Sequence, residues 1–379
     1  MTGTEHIRKA LDKRASDNNL RELRQSADLV DFCSNDYLGL SRSDELHQKI
    51  SAAEANSRMW FNGSTGSRLL TGNTEFNQEL EAKLAGIFMS EEALLFNSGY
   101  TANLALLSSV PQRGDVILYD ELSHASIKDG IRLSFAEKLS FKHNDLKDME
   151  RLLQKNSGKE VFIVVESIYS MDGDECPLIE LLKLSNKFGA KLIVDEAHST
   201  GVIGEAGGGM CLSIGLNKEV FARIFTFGKA MGIHGACVAG SRLLIDYLIN
   251  FSRPFIYTTA MSMHSLLAID CAFDYLKDNI SLQEQLSTKI KLYRKSVKET
   301  LSINYSNNLN QSAIQTIIVP GNNNAKELAN NLNNKGYDVR PILSPTVKEG
   351  EERIRICLHS FNSDVEIMGL VSTINQVLI

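Results

Sequence analysis

Residues 161–198 read VFIVVESIYSMDGDECPLIELLKLSNKFGAKLIVDEAH. VFIVV and KLIV are apolar at every position, with no alternation between two faces. Strands buried on both sides look like this, and LIELLKLSNKF (178–188) between them has helical spacing. Strand 161–166, helix 178–188 and strand 191–195 therefore predict a βαβ crossover in a parallel sheet covered by helices.

Outward from that unit the pattern repeats. Strands are expected at Ala93–Phe96, Val116–Tyr119, Ile224–Phe227 and Ala236–Gly240, and a helix at Thr101–Val110. After about Ala260 a long helical stretch reaches about Leu301. It is followed by strand Ala313–Pro320, helix Ala325–Lys335, strands Tyr337–Ile342 and Arg353–Leu358, and helix Asp364–Val377. The first thirty residues read as one amphipathic helix and a polar turn. The expected organisation is an N-terminal helical segment (1–35), a large α/β domain (36–262) and a small C-terminal α+β domain (263–379).

Composition excludes several classes. The 379 residues are 43% hydrophobic, enough to bury a core without staples. Acidic residues (46) outnumber basic ones (40), for a net charge of −6, which argues against a nucleic-acid binder. No long apolar run predicts a membrane span, and the polar N-terminus does not read as a secretory signal. The six cysteines show no C-x-x-C spacing, so neither a zinc site nor a disulfide framework is expected, and a reduced cytoplasmic setting is. No metal is expected.

Ligands of open α/β sheets bind at the carboxyl ends of the strands. Strand 191–195 ends in Asp195, with His198 just beyond. Taken singly, these could be a helix cap and a structural histidine. Strand 224–227 runs into Gly228-Lys229, in a stretch, IFTFGKAMGIHGACVAG (224–240), almost free of other charge. Such surroundings disfavour the ammonium form and suit an amine nucleophile. Strand 93–96 opens into Asn97-Ser98-Gly99-Tyr100, where a helix N-terminus offers backbone N–H groups to a phosphate. No Walker loop is present, and GVIGEAGGG (201–209) lacks the dinucleotide spacing. An amine, a strand-end acid and a phosphate cup are together what pyridoxal phosphate needs. The lysine holds its aldehyde and the acid keeps its pyridine nitrogen protonated.

Further motifs are FCSNDYLGLS (32–41), GSTGSRLLTGN (63–73), LFNSGYTAN (95–103), LSHASIKDGIRLS (122–134), ESIYSMDGD (166–174), VDEAHSTGVIGE (194–205), TFGKAMGIHGA (226–236) and FIYTTA (255–260). In order and spacing these resemble the α-oxoamine synthases, fold-type-I pyridoxal-phosphate transferases, and among them the biotin-pathway members. The resemblance implies a large domain with a mainly parallel seven-stranded sheet. It also implies a homodimer with the active site at its interface, and decarboxylative condensation of an amino acid with an acyl thioester. The pair would be L-alanine and a pimeloyl thioester on coenzyme A or acyl-carrier protein. The alternatives are glycine with acetyl-CoA, or another acyl chain.

The resemblance also implies roles. Lys229 would bind the cofactor and move protons, and Asp195 would pair with the pyridine nitrogen. His124 would stack on the ring and His198 would meet its phenolic oxygen. Ser170 and Thr226 would touch cofactor oxygens, and Gly99 and Tyr100 would hold the phosphate through their backbone. Thr258 and Thr259 would reach the partner subunit's phosphate. Asn35 would lie near the substrate, and Arg355, rather than Arg353, would take the amino-acid carboxylate. Thr346, and Arg21 in the N-terminal helix, would face the acyl substrate. Two departures bear on the acyl chain: Ile342-Leu343-Ser344 stands where an arginine is frequent, and His234 where a small or polar residue is.

Overall fold

The structure is a computed structural model that describes residues 3–23, 28–57, 62–301 and 309–378. Its strands are β1 (Val30–Asp31), β2 (Glu92–Phe96), β3 (Val116–Asp120), β4 (Glu137–Phe141), β5 (Val161–Glu166), β6 (Lys191–Asp195), β7 (Ala222–Thr226), β8 (Ala236–Gly240), β9 (Ile314–Ile318), β10 (Tyr337–Asp338), β11 (Arg340–Ile342) and β12 (Arg353–Cys357).

The chain forms two compact units. The larger, Leu38–Ser170 with Glu175–Gln283, holds a seven-stranded sheet in the order β2-β8-β7-β6-β5-β3-β4. β8 alone runs opposite to the other six strands. Along β5, Phe162 and Val164 enter one apolar core while Val161, Ile163 and Val165 enter the other. Both faces are buried, which is why the strand carries no polar alternation. The helix Leu178–Phe188 joins β5 to the parallel β6, as the sequence predicts. β4 is the strand of this sheet that sequence reading misses. EKLSF is polar because β4 is the outer strand beside β3 and leaves Glu137, Lys138 and Ser140 exposed.

The smaller unit comprises the chain up to Tyr37, Met171–Asp174 and Glu284 onward. It holds an antiparallel sheet, β11-β12-β9, and a two-stranded parallel pair, β1-β10. The strand expected over 337–342 is thus two strands with different partners.

These boundaries differ from the three expected segments. Residues 30–37 belong to the smaller unit because β1 pairs with β10 and Phe32 O accepts the Cys357 N–H at 2.8 Å. Helix Met263–Asp278 belongs to the larger one, where Phe273 meets Phe88 and Phe227 edge-on at 5.8 and 5.4 Å. Among the described residues, no helix is long and apolar enough to cross a membrane.

Candidate active site

The parallel strands β5, β6 and β7 end together in the larger unit, bringing Glu166, Asp195 and Thr226 to one edge. The loop after β6 is fixed by Glu196, a fully buried carboxylate that accepts the N–H groups of Met210 (2.9 Å) and Cys211 (2.8 Å) and the Ser199 hydroxyl. Gly209 makes that approach possible. Its φ is +93°, and a Cβ there would lie 2.9 Å from the Glu196 carboxyl carbon. The loop so held places His198, 5% exposed, with Nε2 at 2.7 Å from Lys229 Nζ. Lys229 sits in a tight turn after β7, closed by Gly232 N–H on Lys229 O (2.9 Å) and Ile233 N–H on Phe227 O (3.0 Å).

Asp195 is 4% exposed, and its carboxylate accepts from Ala197 N–H at 2.9 Å and Asn103 Nδ2 at 2.7 Å. Beside it, Glu166 accepts the backbone N–H of His124 at 2.5 Å. Burial, then the Asp195 charge, push the Glu166 pKa up to about 8, against the pull of Lys229 and the His124 N–H. His124 caps the helix Ala125–Leu133. Its Nδ1 accepts the Ser126 N–H at 3.2 Å, and the residue is buried in part and open to solvent in part.

The helix Gly99–Ser109 begins at this same edge, with the Ser98 hydroxyl accepting the Thr101 N–H at 3.2 Å. Its first N–H groups have no partner within the helix. A Cβ on Gly99 would lie 2.2 Å from Thr226 Cγ2, so only glycine lets the helix start against the end of β7. Thr226 Oγ1 is buried there without a hydrogen-bond partner. The Tyr100 hydroxyl donates to Asp129, and Ser170 is buried in the turn that follows β5. Asn97 Nδ2 donates to Thr258 Oγ1 at 3.3 Å and to Thr259 O at 3.0 Å. An amine, a buried acid and a helix N-terminus beside an unsatisfied hydroxyl fit pyridoxal phosphate.

In the smaller unit, Asn35 Oδ1 accepts from Arg355 Nη2 at 3.0 Å and from the Tyr37 hydroxyl at 3.1 Å. Arg353, two residues away, is 4% exposed and ion-paired with Asp172 and Glu351. The two arginines of β12 thus have different partners. Arg21 is not in the N-terminal helix as expected. That helix is Glu5–Ser16, and Arg21 follows it on exposed, irregular chain. Thr346 is exposed in a turn closed by its N–H on Leu343 O at 2.8 Å, and His234 is exposed too.

Two residues of the larger unit escaped the sequence reading. Glu166 was findable, since it ends a buried strand as Asp195 does. Asn103 lies inside the quoted motif LFNSGYTAN, but nothing in its spacing says that it reaches Asp195.

The sequence model of the family described as Aminotransferase class I and II matches residues 27–374. A putative 8-amino-7-oxononanoate synthase of Bacillus licheniformis is 42% identical over 331 residues, covering 87% of this chain and 85% of the relative. The 8-amino-7-oxononanoate synthase of Chromobacterium violaceum is 40% identical over 329 residues, covering 87% and 84%. Among solved structures, the 8-amino-7-oxononanoate synthase of Francisella tularensis superposes with a TM-score of 0.77 at 30% identity, covering 92% of this chain and 98% of its own. A serine palmitoyltransferase of Sphingomonas wittichii shares the fold, with a TM-score of 0.90 at 24% identity and coverage of 100% and 99%.

Proposed function

The chain belongs to the class I and II aminotransferase family and, within it, to the 8-amino-7-oxononanoate synthases, and on that premise we propose that it condenses L-alanine with a pimeloyl thioester. The products are 8-amino-7-oxononanoate, CO2 and the free thiol, so the reaction is a step of biotin biosynthesis. The cofactor is pyridoxal phosphate. The observation that carries this reading is the Lys229–His198 contact at 2.7 Å beside the buried Asp195 carboxylate.

When bound, pyridoxal phosphate supplies an electron sink for the charge left at the α-carbon of the amino acid. The chain's own groups do the rest. Lys229 holds the cofactor and carries the α-proton away and back, and His198 lies beside the amine. Asp195 would keep a proton on the pyridine nitrogen. Opposite charges ~4 Å apart are worth ~1 kcal/mol in water but ~4 kcal/mol at an effective dielectric near 20, and Asp195 is screened from water. His124 would lie against the cofactor ring. Gly99 and Tyr100 N–H groups, with Thr226 and Ser170, would take the phosphate and ring oxygens. Arg355, oriented by Asn35, binds the amino-acid carboxylate, and Thr346 and Arg21 are assigned to the acyl substrate. The working form is a cytoplasmic homodimer in which Thr258 and Thr259 serve the partner subunit's phosphate.

The test is CO2 release with alanine or glycine against pimeloyl-CoA, pimeloyl-acyl-carrier protein, acetyl-CoA and long-chain acyl-CoA. Alanine with a pimeloyl thioester should dominate. Dominant turnover of glycine with acetyl-CoA would overturn the assignment in favour of a glycine acetyltransferase.

A further inference from the structure

The hydrogen bonds around Asp195 determine where one proton sits. Asn103 is 1% exposed, and its Nδ2 donates to Asp195 Oδ2 at 2.7 Å and to Ser126 Oγ at 3.1 Å. An amide nitrogen only donates, and a carboxylate only accepts. The Asn103 amide is thereby oriented, at the cost of leaving its Oδ1 buried without a partner. Ser126 Oγ, having accepted from Asn103, has one hydrogen to give. His124 Nδ1 lies 2.8 Å from it. The same Nδ1 lies 3.2 Å from the Ser126 backbone N–H, which can only donate. That backbone N–H is aimed at Nδ1, so Nδ1 is the unprotonated nitrogen and Nε2 carries the hydrogen, and the Ser126 hydroxyl then turns its own hydrogen to Nδ1.

We propose that Asn103 is a positioning residue. Through Ser126 it ties the His124 imidazole to the Asp195 carboxylate and holds that imidazole neutral, with its proton on Nε2. An imidazolium would aim an Nδ1–H at the Ser126 backbone N–H. The charged groups around the ring come from several elements. Partial burial lowers the His124 pKa below the ordinary histidine value, the Asp195 charge of β6 opposes this, and Lys229 after β7 and Lys128 on its own helix add to the fall. Glu166 of β5 engages only the His124 backbone N–H. A neutral ring can lie against a protonated pyridine without like-charge repulsion. That consequence rests on the proposed function, whereas the place of the proton does not.

The experiment is a pH titration of full-length protein carrying 15N-histidine, with the cofactor bound and after its removal. Long-range proton–nitrogen correlation spectra distinguish the two imidazole tautomers. His124→Gln identifies the His124 signals among those of the eight histidines. The wild type should show the Nε2–H tautomer and protonate below ~6.5. Asn103→Ala should raise that pKa by about one pH unit, and Ser126→Ala should do the same while mixing the tautomers. A wild-type Nδ1–H tautomer, or an Asn103→Ala titration that superimposes on the wild type, would overturn the proposal. Should Asn103→Ala fail to fold, an unchanged titration in Ser126→Ala overturns it instead. A failed CO2 assay would leave these spectra unaltered, so the two readings fail separately.

Discussion

Glu166 and Asp195 are cross-strand partners at the carboxyl ends of β5 and β6, so two buried carboxyl groups end neighbouring parallel strands. They differ in their donors. Asp195 receives two N–H groups, Glu166 one. Burial first, and the Asp195 charge second, make Glu166 keep its proton up to a pKa of about 8. The larger unit thus carries two neighbouring buried carboxyl groups, of which Glu166 is held neutral at physiological pH.

That difference has a signature in stability. An unfolded Glu166 loses its proton near 4.5 and the folded one near 8, so between these values the folded state binds more protons. Stability therefore falls as pH rises through the window from 4.5 to 8. Glu166→Gln should flatten this slope in cofactor-free protein and raise stability at pH 8 by about 4 kcal/mol. Urea melts across the window measure it, and an unchanged slope would show that Glu166 ionises normally.

Removing the amine should remove the covalent link to the cofactor. Lys229→Ala, supplied with pyridoxal phosphate, should lack the visible imine absorbance, yield no borohydride-fixed adduct and show no turnover. Wild-type activity in that variant would end the proposed chemistry.

Asp195→Asn keeps the shape of the side chain and deletes its charge. Loss of an interaction worth ~4 kcal/mol should slow deuterium exchange at the alanine α-carbon about a thousandfold, while the cofactor still binds. Exchange at the wild-type rate would remove Asp195 from its role.

The two arginines of β12 should separate by what they change. Arg355→Lys loses the planar fork and should raise the KM for alanine about tenfold or more with little effect on kcat. Arg353→Met should leave that KM alone but cost about 2 kcal/mol of stability, because it strands Asp172 without its partner. The opposite pattern, read from kinetics and thermal melts, would exchange their assignments.

Gly99→Ala should weaken cofactor affinity more than stability. The new Cβ would lie 2.2 Å from Thr226 Cγ2, so the helix start must withdraw from the end of β7. A fluorescence titration with pyridoxal phosphate should show a Kd raised about tenfold, whereas an unchanged Kd would place the phosphate elsewhere.

The sequence by itself determined the buried parallel strands, because a strand covered on both faces must be apolar throughout, as VFIVV is. It also placed Asp195, Lys229 and Gly99 at strand ends, because strand ends are local. It did not yield β4, whose polar EKLSF reflects a place at the sheet's edge that no local pattern records. Nor did it yield the assignment of residues 30–37 to the smaller unit, which depends on a pairing with β10 about three hundred residues later. The fates of Arg353 and Arg355 were equally hidden, since alternation gives them one face while Asp172 and Asn35 arrive from distant segments. The proton on His124 belongs to the same class. Only the folded chain brings Asn103 between Asp195 and Ser126, and hydrogen-bond polarity, a property of neighbours in space, then decides which nitrogen is protonated.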